Sequence, residues 1–394
     1  MDKILIVSAK LPNDTTDLDG GTSTVRQFLQ DLSEAYIIDY LFYDVFAICP
    51  VSVPKEINKL FVKNGTDLNY IDGTAIDCEN KFISRVKKAD LISRDIATLI
   101  DSYKLCIVIH CSMSMKLQDY LNNKQLEKII LLPMFLTPSY VLSGDTVPEE
   151  YTKQEKRILD VVNCIITPSY MEFEQLKEVY NVCENKIHII PRSIGEFCGN
   201  IKKIKNKACV NICYIAAFRR QKNIMDSIRC IEKISKRTIH CHLYIVGPIH
   251  QQVIYDECIK YILENNLSDY ITIMNSITSS NLKELYQKMD IAISTSNCET
   301  FGRSIFEGMA MGIPTIVFER LTAVKGMLKD NKGIYFSKDV EDMVRMINEI
   351  VENDLLYNTM SKSALEVATE FSEERQKRLL IQLLKNVINE TEND

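Results

Sequence analysis

Residues 291–317 have the sequence IAISTSNCETFGRSIFEGMAMGIPTIV, and this stretch decides the fold prediction. It consists of an apolar run, a polar turn, a segment rich in small residues and a second apolar run. Residues 294–297 interrupt the first run, and Gly312, Ile313 and Pro314 separate the middle segment from the second. A glycine followed closely by a proline is a helix stop signal. The stretch therefore predicts a strand, a loop, a helix and another strand.

Two carboxylates lie in this stretch, Glu299 before the predicted helix and Glu307 about two turns into it. In a parallel α/β sheet, ligands bind beyond the carboxyl ends of the strands, and helix N-termini attract anions. We therefore expect Glu299 at the rim of a crevice. Gly308, Ala310 and Gly312 leave the helix little side-chain bulk, at a cost of roughly 1 kcal/mol per glycine. This composition predicts close approach of another backbone or a flat ligand.

Composition limits the class of protein. A chain of 394 residues, 46% hydrophobic and 25% charged, is long enough for two domains. The net charge of −6 argues against a nucleic-acid partner. The 13 cysteines are scattered and form no C-x-x-C pair, which indicates a reducing cytoplasm rather than a disulfide framework. No apolar run approaches the length of a membrane span, so we expect a cytoplasmic protein that is neither secreted nor membrane-spanning.

Apolar runs alternate with helix-favouring segments along the whole chain, which predicts βαβ units and parallel sheets. The expected strands of the first half are 3–7, 36–43, 105–110, 128–132, 164–167 and 187–190. The expected helices there include 81–103, 115–122, 150–161 and 171–180. The expected strands of the second half are 209–218, 240–247, 270–274, 291–294, 315–318 and 333–336, with helices starting near 222, 251, 280, 302 and 339.

A polar, lysine-rich stretch separates the two series. We therefore predict a first doubly wound domain over residues 1–197, a linker over 198–208 and a second domain over 209–372. A final helix begins after Ser372, and its stripe of leucines must pack against another surface. We expect this helix, residues 373–394, to cross back to the first domain.

Two candidate metal motifs are set aside. Asp17 and Asp19 form a D-x-D sequence, but they lie in a polar loop, where a solvated acidic loop is the favoured interpretation. His240 and His242 face the same side of one strand, and two imidazoles without a third ligand make a poor metal site. No metal site is predicted.

Three cations follow the first strand of the second domain, at Arg219, Arg220 and Lys222. Cations in the first turn of a helix oppose its dipole, so a bound anion such as a diphosphate would make this arrangement favourable. The other interpretation is a solvated basic turn.

The first domain offers two candidate site residues. Gly21 belongs to a Gly-Gly turn that opens a helix capped by Thr22 or Ser23 after the first strand. Such a turn either cradles a phosphate, lets a sugar approach the backbone, or is purely structural. His110 ends the third strand and points into the predicted crevice, as a hydrogen-bonded structural group or as a catalytic one.

Residues 82–94 combine apolar side chains with Arg85, Lys87, Lys88 and Arg94. This pattern allows peripheral contact with an anionic membrane surface. A solvated helix face is the alternative interpretation.

Residues 299–314, ETFGRSIFEGMAMGIP, resemble the E-x7-E signature of the retaining family 4 glycosyltransferases. The resemblance extends to the Gly20-Gly21 turn and the Lys222-Asn223 pair, and to the stretches 166–169, 186–191 and 246–247. That family has the GT-B fold, in which two Rossmann-like domains face each other across the active site.

The resemblance implies roles for individual residues. Glu307 would accept hydrogen bonds from the ribose hydroxyls of a nucleoside diphosphate, and Glu299 would contact the donor sugar. The turn formed by Thr300, Phe301 and Gly302 would help to hold sugar and phosphate through its amides.

The other implied roles concern the diphosphate and the acceptor side. Lys222, with Arg219 or Arg220, would neutralise the departing diphosphate, which is the main electrostatic demand of a metal-free transfer. Gly21 would let the acceptor-side loop approach the donor phosphate, and His110 would match the histidine of the family's first domain.

The sequence departs from the family pattern at two places. Ala216 and Ala217 occupy the positions of a Gly-Arg pair, and the arginines come two and three residues later, so the phosphate-binding arginine is either Arg219 or Arg220. The strand end at residues 132–135, LPMF, lacks the histidine often found there.

The sequence thus predicts a retaining, metal-independent glycosyltransferase that needs no cofactor. It would move a sugar from a nucleotide-sugar donor, expected to be a UDP-sugar, to a hydroxyl acceptor, with a role in cell-envelope polysaccharide or glycoconjugate synthesis. The alternatives are a non-catalytic nucleotide-sugar-binding partner subunit and a nucleotide-sugar epimerase of the same fold.

Overall fold

The computed structural model describes residues 1–8, 20–42, 81–195, 197, 199–200, 209–236, 240–328 and 333–393. The D-x-D loop at 17–19 and the predicted linker residues 198 and 201–208 lie outside these ranges. Those predictions therefore stay predictions.

The described strands form two six-stranded sheets in which every described strand pairing is parallel. The first sheet contains β1 (Lys3–Ser8), β2 (Ile37–Phe42), β3 (Leu105–Ile109), β4 (Ile129–Leu132), β5 (Cys164–Thr167) and β6 (Ile187–Ile189). The second contains β7 (Val210–Ile215), β8 (Cys241–Val246), β9 (Ile271–Met274), β10 (Ile291–Ser294), β11 (Thr315–Phe318) and β12 (Ile334–Ser337). Each predicted strand is present, with its ends shifted by three residues at most.

Helices connect these strands. In the first half they are α1 (Gly20–Ser33), α2 (Lys81–Leu99), α3 (Asn123–Leu126), α4 (Thr137–Leu142), α5 (Glu149–Val161) and α6 (Tyr170–Glu174), the last continuing as a π-helical turn, Gln175–Val179. In the second half they are α7 (Ile224–Ser235), α8 (Gln252–Glu264), α9 (Ser279–Lys288), α10 (Arg303–Ala310), α11 (Thr322–Gly326), α12 (Val340–Glu352), α13 (Asp354–Ala368) and α14 (Glu373–Asn393).

The all-apolar strands are buried on both faces. In β1, Leu5 and Val7 pack into one hydrophobic cluster, and Ile4 and Ile6 pack into another on the opposite side. Alternate residues of a strand point to opposite faces, so an unbroken apolar run requires helices on both sides of the sheet. This is the doubly wound arrangement that the sequence predicted.

Strand order determines where ligands bind. The first sheet has the order β2-β1-β3-β4-β5-β6, and the second has β12-β11-β10-β7-β8-β9. Connections change direction between β1 and β3 in the first sheet and between β7 and β10 in the second. Crevices open at such switch points, beyond the carboxyl ends of the strands.

Helix α14 packs on the first sheet. Its residues Leu380, Leu384 and Ile388 share a cluster with Ile4 and Phe28. The amide of Ile194, which follows β6, donates to the carbonyl of Phe371, just before α14, at 3.1 Å, so the two crossing segments run side by side. The predicted fold class, two doubly wound Rossmann-like domains with a C-terminal helix crossing back, is confirmed.

Three local predictions differ from the structure. Residues 115–122 contain a short 3₁₀ turn, Leu117–Asp119, instead of a helix. Met113, Met115 and Leu117 are all fully buried in one cluster, and a spacing of two cannot place them on one helix face. Helix α1 already begins at Gly20, so Thr22 and Ser23 lie inside it and not at its cap. Four helices were not predicted, α3, α4, α11 and α13.

The described helices were also compared with the requirements of a membrane span. None of those within the described ranges combines the length and apolar character needed to cross a bilayer.

Candidate functional site

Two loops meet at the switch point of the second sheet and bring Lys222 to Glu299. Lys222 ends a 3₁₀ turn, Arg220–Lys222, that follows β7, and Glu299 lies in the loop after β10. Lys222 Nζ lies 2.6 Å from Glu299 Oε1, and both side chains are largely buried. The sequence placed the carboxylate and the cation in the same crevice, and the structure shows that they form an ion pair.

Glu299 is held by a second donor. Ser296 Oγ donates to the same oxygen, Glu299 Oε1, at 2.8 Å. The hydroxyl of buried Tyr214, on β7, lies 2.8 Å from Ser296 Oγ and donates to the carbonyl of Lys222. The sequence did not predict this network, because Tyr214 continues the apolar run of its strand and gives no sign of a polar contact. The network fixes the two charged side chains relative to each other.

Hydrogen bonds of Gln221 also tie the same loops together. Gln221 Nε2 donates to the carbonyl of Cys298 at 2.8 Å, and the amide of Asn297 donates to the carbonyl of Gln221 at 2.8 Å. The loop before α7 and the loop before α10 therefore form one unit.

The two arginines contact other residues. Arg219 Nε donates to His250 Nδ1 in the loop after β8. Arg220 donates from its amide to Gln251 Oε1 at 2.6 Å, and its guanidinium reaches the carbonyl of Gly144, in the first half of the chain, at 3.5 Å. Neither arginine is singled out as a phosphate ligand by these contacts.

The helix after this basic turn begins later than predicted. Asn223 adopts a left-handed conformation with φ of 45°, and α7 starts at Ile224. The cations therefore precede the helix instead of occupying its first turn. The first turn carries Asp226, which suits the helix dipole.

Gly302 shapes the turn that leads into α10. Its φ is 85°, a left-handed conformation that favours glycine, and it caps the helix. Within the described chain no group accepts a hydrogen bond from the amides of Gly302, Arg303 and Ser304. Such amides form an anion-binding helix N-terminus.

The other two residues predicted in this turn differ in burial. The Phe301 ring is buried and packs on Phe306 and Phe371, so its side chain is structural. Thr300 is half-buried beside it.

Glu307 lies on α10, with its carboxylate 8% exposed. Arg303, one turn earlier, places Nε 2.8 Å from Glu307 Oε1. Burial raises the pKa of Glu307, and the Arg303 guanidinium opposes that rise. Sequence reasoning missed Arg303, although the i,i+4 spacing was a signal for this pair.

His110 lies at the switch point of the first sheet, directly after β3. Its backbone has φ of 95°, an unusual value for a residue other than glycine. Its Nδ1 lies 2.7 Å from Ser112 Oγ, and its Nε2 lies 3.4 Å from the hydroxyl of Tyr140. Arg85 donates to the same Tyr140 hydroxyl at 2.9 Å.

The remaining first-domain predictions concern Gly21 and the basic segment 82–94. Gly21 lies in the first turn of α1. Arg85 and Lys88 are buried on α2, so half of the cations proposed for a membrane surface do not face outward. Lys87 and Arg94 are exposed, and Arg94 pairs with Asp90.

The candidate metal ligands among the described residues are dispersed. In those ranges no group of three or more His, Cys, Asp or Glu side chains is placed to hold a metal ion.

Comparison with known proteins adds a family match. Residues 200–367 match the family model of group 1 glycosyl transferases. A segment of 168 residues is 28% identical to alpha-monoglucosyldiacylglycerol synthase of Acholeplasma laidlawii, covering 42% of this chain and 40% of that protein. The match thus spans less than half the length of this curated relative.

Two solved structures resemble the whole chain. Sucrose-phosphate synthase from Thermosynechococcus elongatus superposes with a TM-score of 0.76 at 17% identity, covering 99% of this chain and 100% of that one. Anabaena HepE in complex with UDP and glucose gives a TM-score of 0.67 at 13% identity, covering 98% and 100%. The fold is that of the GT-B glycosyltransferases, and the sequence matches support a transferase enzyme.

Proposed function

We propose that the chain is a retaining, metal-independent glycosyltransferase that moves a sugar from a UDP-sugar to a hydroxyl acceptor. One observation carries the proposal. Lys222 and Glu299 lie 2.6 Å apart at the switch point, beside the helix N-terminus formed by Gly302 and the first residues of α10. A cation, a hydrogen-bonding carboxylate and an anion-binding helix end are the groups that a nucleoside diphosphate sugar needs.

The donor would lie across the carboxyl edge of the second sheet. Glu307 accepts hydrogen bonds from the ribose hydroxyls, because a carboxylate offers acceptor positions that suit a vicinal diol. The amides at Gly302 take the diphosphate, and Glu299 takes hydroxyls of the sugar. The HepE complex with UDP and glucose, which shares the fold, supports the choice of a UDP-sugar donor.

Lys222 carries the catalytic role in this proposal. As the bond between the anomeric carbon and the phosphate oxygen breaks, negative charge grows on the diphosphate, and a fixed ammonium nearby stabilises it. The acceptor oxygen bonds to the anomeric carbon on the face that the phosphate leaves, and its proton passes to the departing phosphate. This front-side attack retains the anomeric configuration, and neither a metal nor a cofactor is required.

The acceptor would enter from the first domain, where His110 and the start of α1 at Gly20 flank the switch point. A relative whose name specifies a glucosyl lipid supports a role in the synthesis of envelope glycoconjugates. Ten cysteines of the described residues are free thiols, which supports a cytoplasmic location.

A donor panel tests the proposal. The protein is incubated with UDP-, GDP-, ADP- and dTDP-sugars in the presence of EDTA, and release of the nucleoside diphosphate is measured. We expect slow hydrolysis of one UDP-sugar, with the retained anomer identified by NMR. Turnover of no donor, or turnover abolished by EDTA, would contradict the proposal, and conversion of the sugar without nucleotide release would indicate an epimerase instead.

A further inference from the structure

Arg303 is the first residue of α10, and its side chain folds along the helix to Glu307. Its Nε lies 2.8 Å from Glu307 Oε1, and Arg303 is 31% exposed while Glu307 is 8% exposed. In the part of the chain that the structure describes, no other residue forms an ion pair with Glu307.

Helix energetics do not favour an arginine at this position. A cation at the N-terminus opposes the helix dipole, and an arginine placed four residues before a glutamate is the less favourable order for such a pair. Helix stability therefore does not account for Arg303.

The ionisation state of Glu307 depends on Arg303. Burial raises the pKa of Glu307, and Arg303 is the group that lowers it. An ionised carboxylate offers about four acceptor positions, and a protonated one loses part of that capacity. Since no described residue other than Arg303 forms an ion pair with Glu307, its remaining acceptor positions suit donors from a ligand.

A backbone segment from the first half of the chain limits the position of the guanidinium. Arg303 Nη2 lies 3.6 Å from the position that a Cβ would take at Gly195, and Glu373 Oε1 lies 3.7 Å from the same point. Gly195 has φ of 69° and follows β6, on the segment that leads to the second domain. The guanidinium is thus placed between the helix and this segment.

We propose that Arg303 is a positioning residue for nucleotide binding: it fixes Glu307 as an oriented anion whose free acceptor positions receive the ribose hydroxyls. This inference rests on the proposed function, because it assumes that Glu307 contacts the ribose. The guanidinium of Arg303 does not itself touch the nucleotide.

The experiment compares two ligands, UDP and 2′,3′-dideoxy-UDP, by titration calorimetry from pH 5.5 to 8.5. The ratio of their affinities isolates the ribose hydroxyls, and titration of the phosphates cancels in it. The variants are Arg303→Gln and Arg303→Met. Arg345→Gln is the matched control, since Arg345 forms an i,i+4 pair with Glu349 on the exposed side of α12.

The wild type and the control should prefer UDP by roughly 10- to 100-fold, as expected for hydrogen bonds to a charged group. In both Arg303 variants the preference should fall below about threefold at the acidic end of the range and recover as pH rises and Glu307 ionises. Arg303→Met retains an aliphatic side chain in place of the arginine stem, so this variant is used for the test if Arg303→Gln does not fold.

Two contrary results would have different consequences. A wild-type preference that persists at every pH in the Arg303 variants would overturn this inference and leave the proposed function standing. A wild type that binds both ligands equally would overturn the contact between Glu307 and the ribose, and with it the site assignment.

Discussion

Glu172 and Glu155 are fully buried acids in the first half of the described chain. Glu172 is fully buried, and neither of its carboxylate oxygens has a hydrogen-bond partner within the described residues. Burial raises its pKa to about 8, although nearby Arg192 opposes the rise. Glu155, also fully buried, accepts from the amide of Thr137 at 2.9 Å and from Tyr180, and burial raises its pKa to about 7. Glu172 therefore favours the protonated form near neutral pH, and Glu155 is about half protonated there.

This pair predicts a pH-dependent stability. A glutamate in the unfolded chain titrates near 4.5, so between about pH 4.5 and 8 the folded state binds the extra proton at Glu172. The free energy of unfolding should therefore fall as pH rises through that window. Glu172→Gln, which cannot ionise, should gain stability over the wild type with rising pH, by a few kcal/mol at pH 8.5.

Urea denaturation at a series of pH values measures this effect. Glu174→Gln is the control, because Glu174 is exposed on the same helix. Parallel pH profiles for the wild type and Glu172→Gln would show that Glu172 ionises in the folded protein as it does in the unfolded chain.

The residues of the candidate site show how much of it the sequence could predict. Lys222 and Glu299 follow strands that are neighbours at the switch point, so a correct prediction of the strands also brings their loops together. The roles of Tyr214 and Ser296 depend on side-chain rotamers and strand register, which no residue pattern specifies. The sequence contained a partial signal for the burial of Glu155, since this residue lies four residues after Tyr151 on the apolar face of α5.

The groups that pack against α10 account for its small residues. A Cβ at Gly312 would lie 2.4 Å from the carbonyl oxygen of Asn200, so the segment entering the second domain passes directly over the end of the helix. A Cβ at Gly308 would lie 3.4 Å from the Cβ of Ala292 on β10. The small residues therefore allow a backbone to approach at Gly312 and permit close helix–sheet packing at Gly308.

Gly302 provides a test at this scale. An alanine there would adopt φ near 85° and place its Cβ 2.9 Å from Val324 Cγ2, so the turn and the amides of α10 would have to shift. Gly302→Ala should destabilise the protein by about 1–3 kcal/mol and weaken UDP binding at least tenfold. Gly308→Ala should cost less and leave UDP affinity intact. Thermal unfolding and calorimetry measure both quantities, and equal UDP affinity for the two variants would argue against an anion site at α10.

Strands and helices were predicted correctly where burial determines the spacing of apolar residues. Strands between two helical layers must be apolar throughout, and such runs are distinct in the sequence. Residues 113–117 show the opposite case, because their buried residues follow the shape of the core and not the period of a helix. Helix α4, only six residues long and containing Pro138, is too short for a periodic signal.

At the scale of the whole molecule, α14 connects the end of the chain to the first sheet. Leu384 is fully buried against that sheet, whereas Leu355 on α13 is 77% exposed. Leu384→Ala should lower the free energy of unfolding by about 2–5 kcal/mol, and Leu355→Ala should change it by less than about 0.5 kcal/mol.

Hydrogen exchange locates the effect of Leu384→Ala. The amides of β1 and β3 should lose protection more than those of β7 and β10, because α14 covers the first sheet. Uniform loss in both sheets would mean that the two domains unfold as one cooperative unit.

The proposed function requires Lys222 to stabilise a departing diphosphate. We would measure steady-state turnover of the proposed UDP-sugar donor by the wild type and Lys222→Ala, with Lys233→Ala as the control, since Lys233 pairs with Glu341 on the surface of the same domain. We expect kcat to fall by roughly 100- to 1,000-fold in Lys222→Ala and to stay unchanged in the control. A wild-type kcat for Lys222→Ala would contradict this requirement.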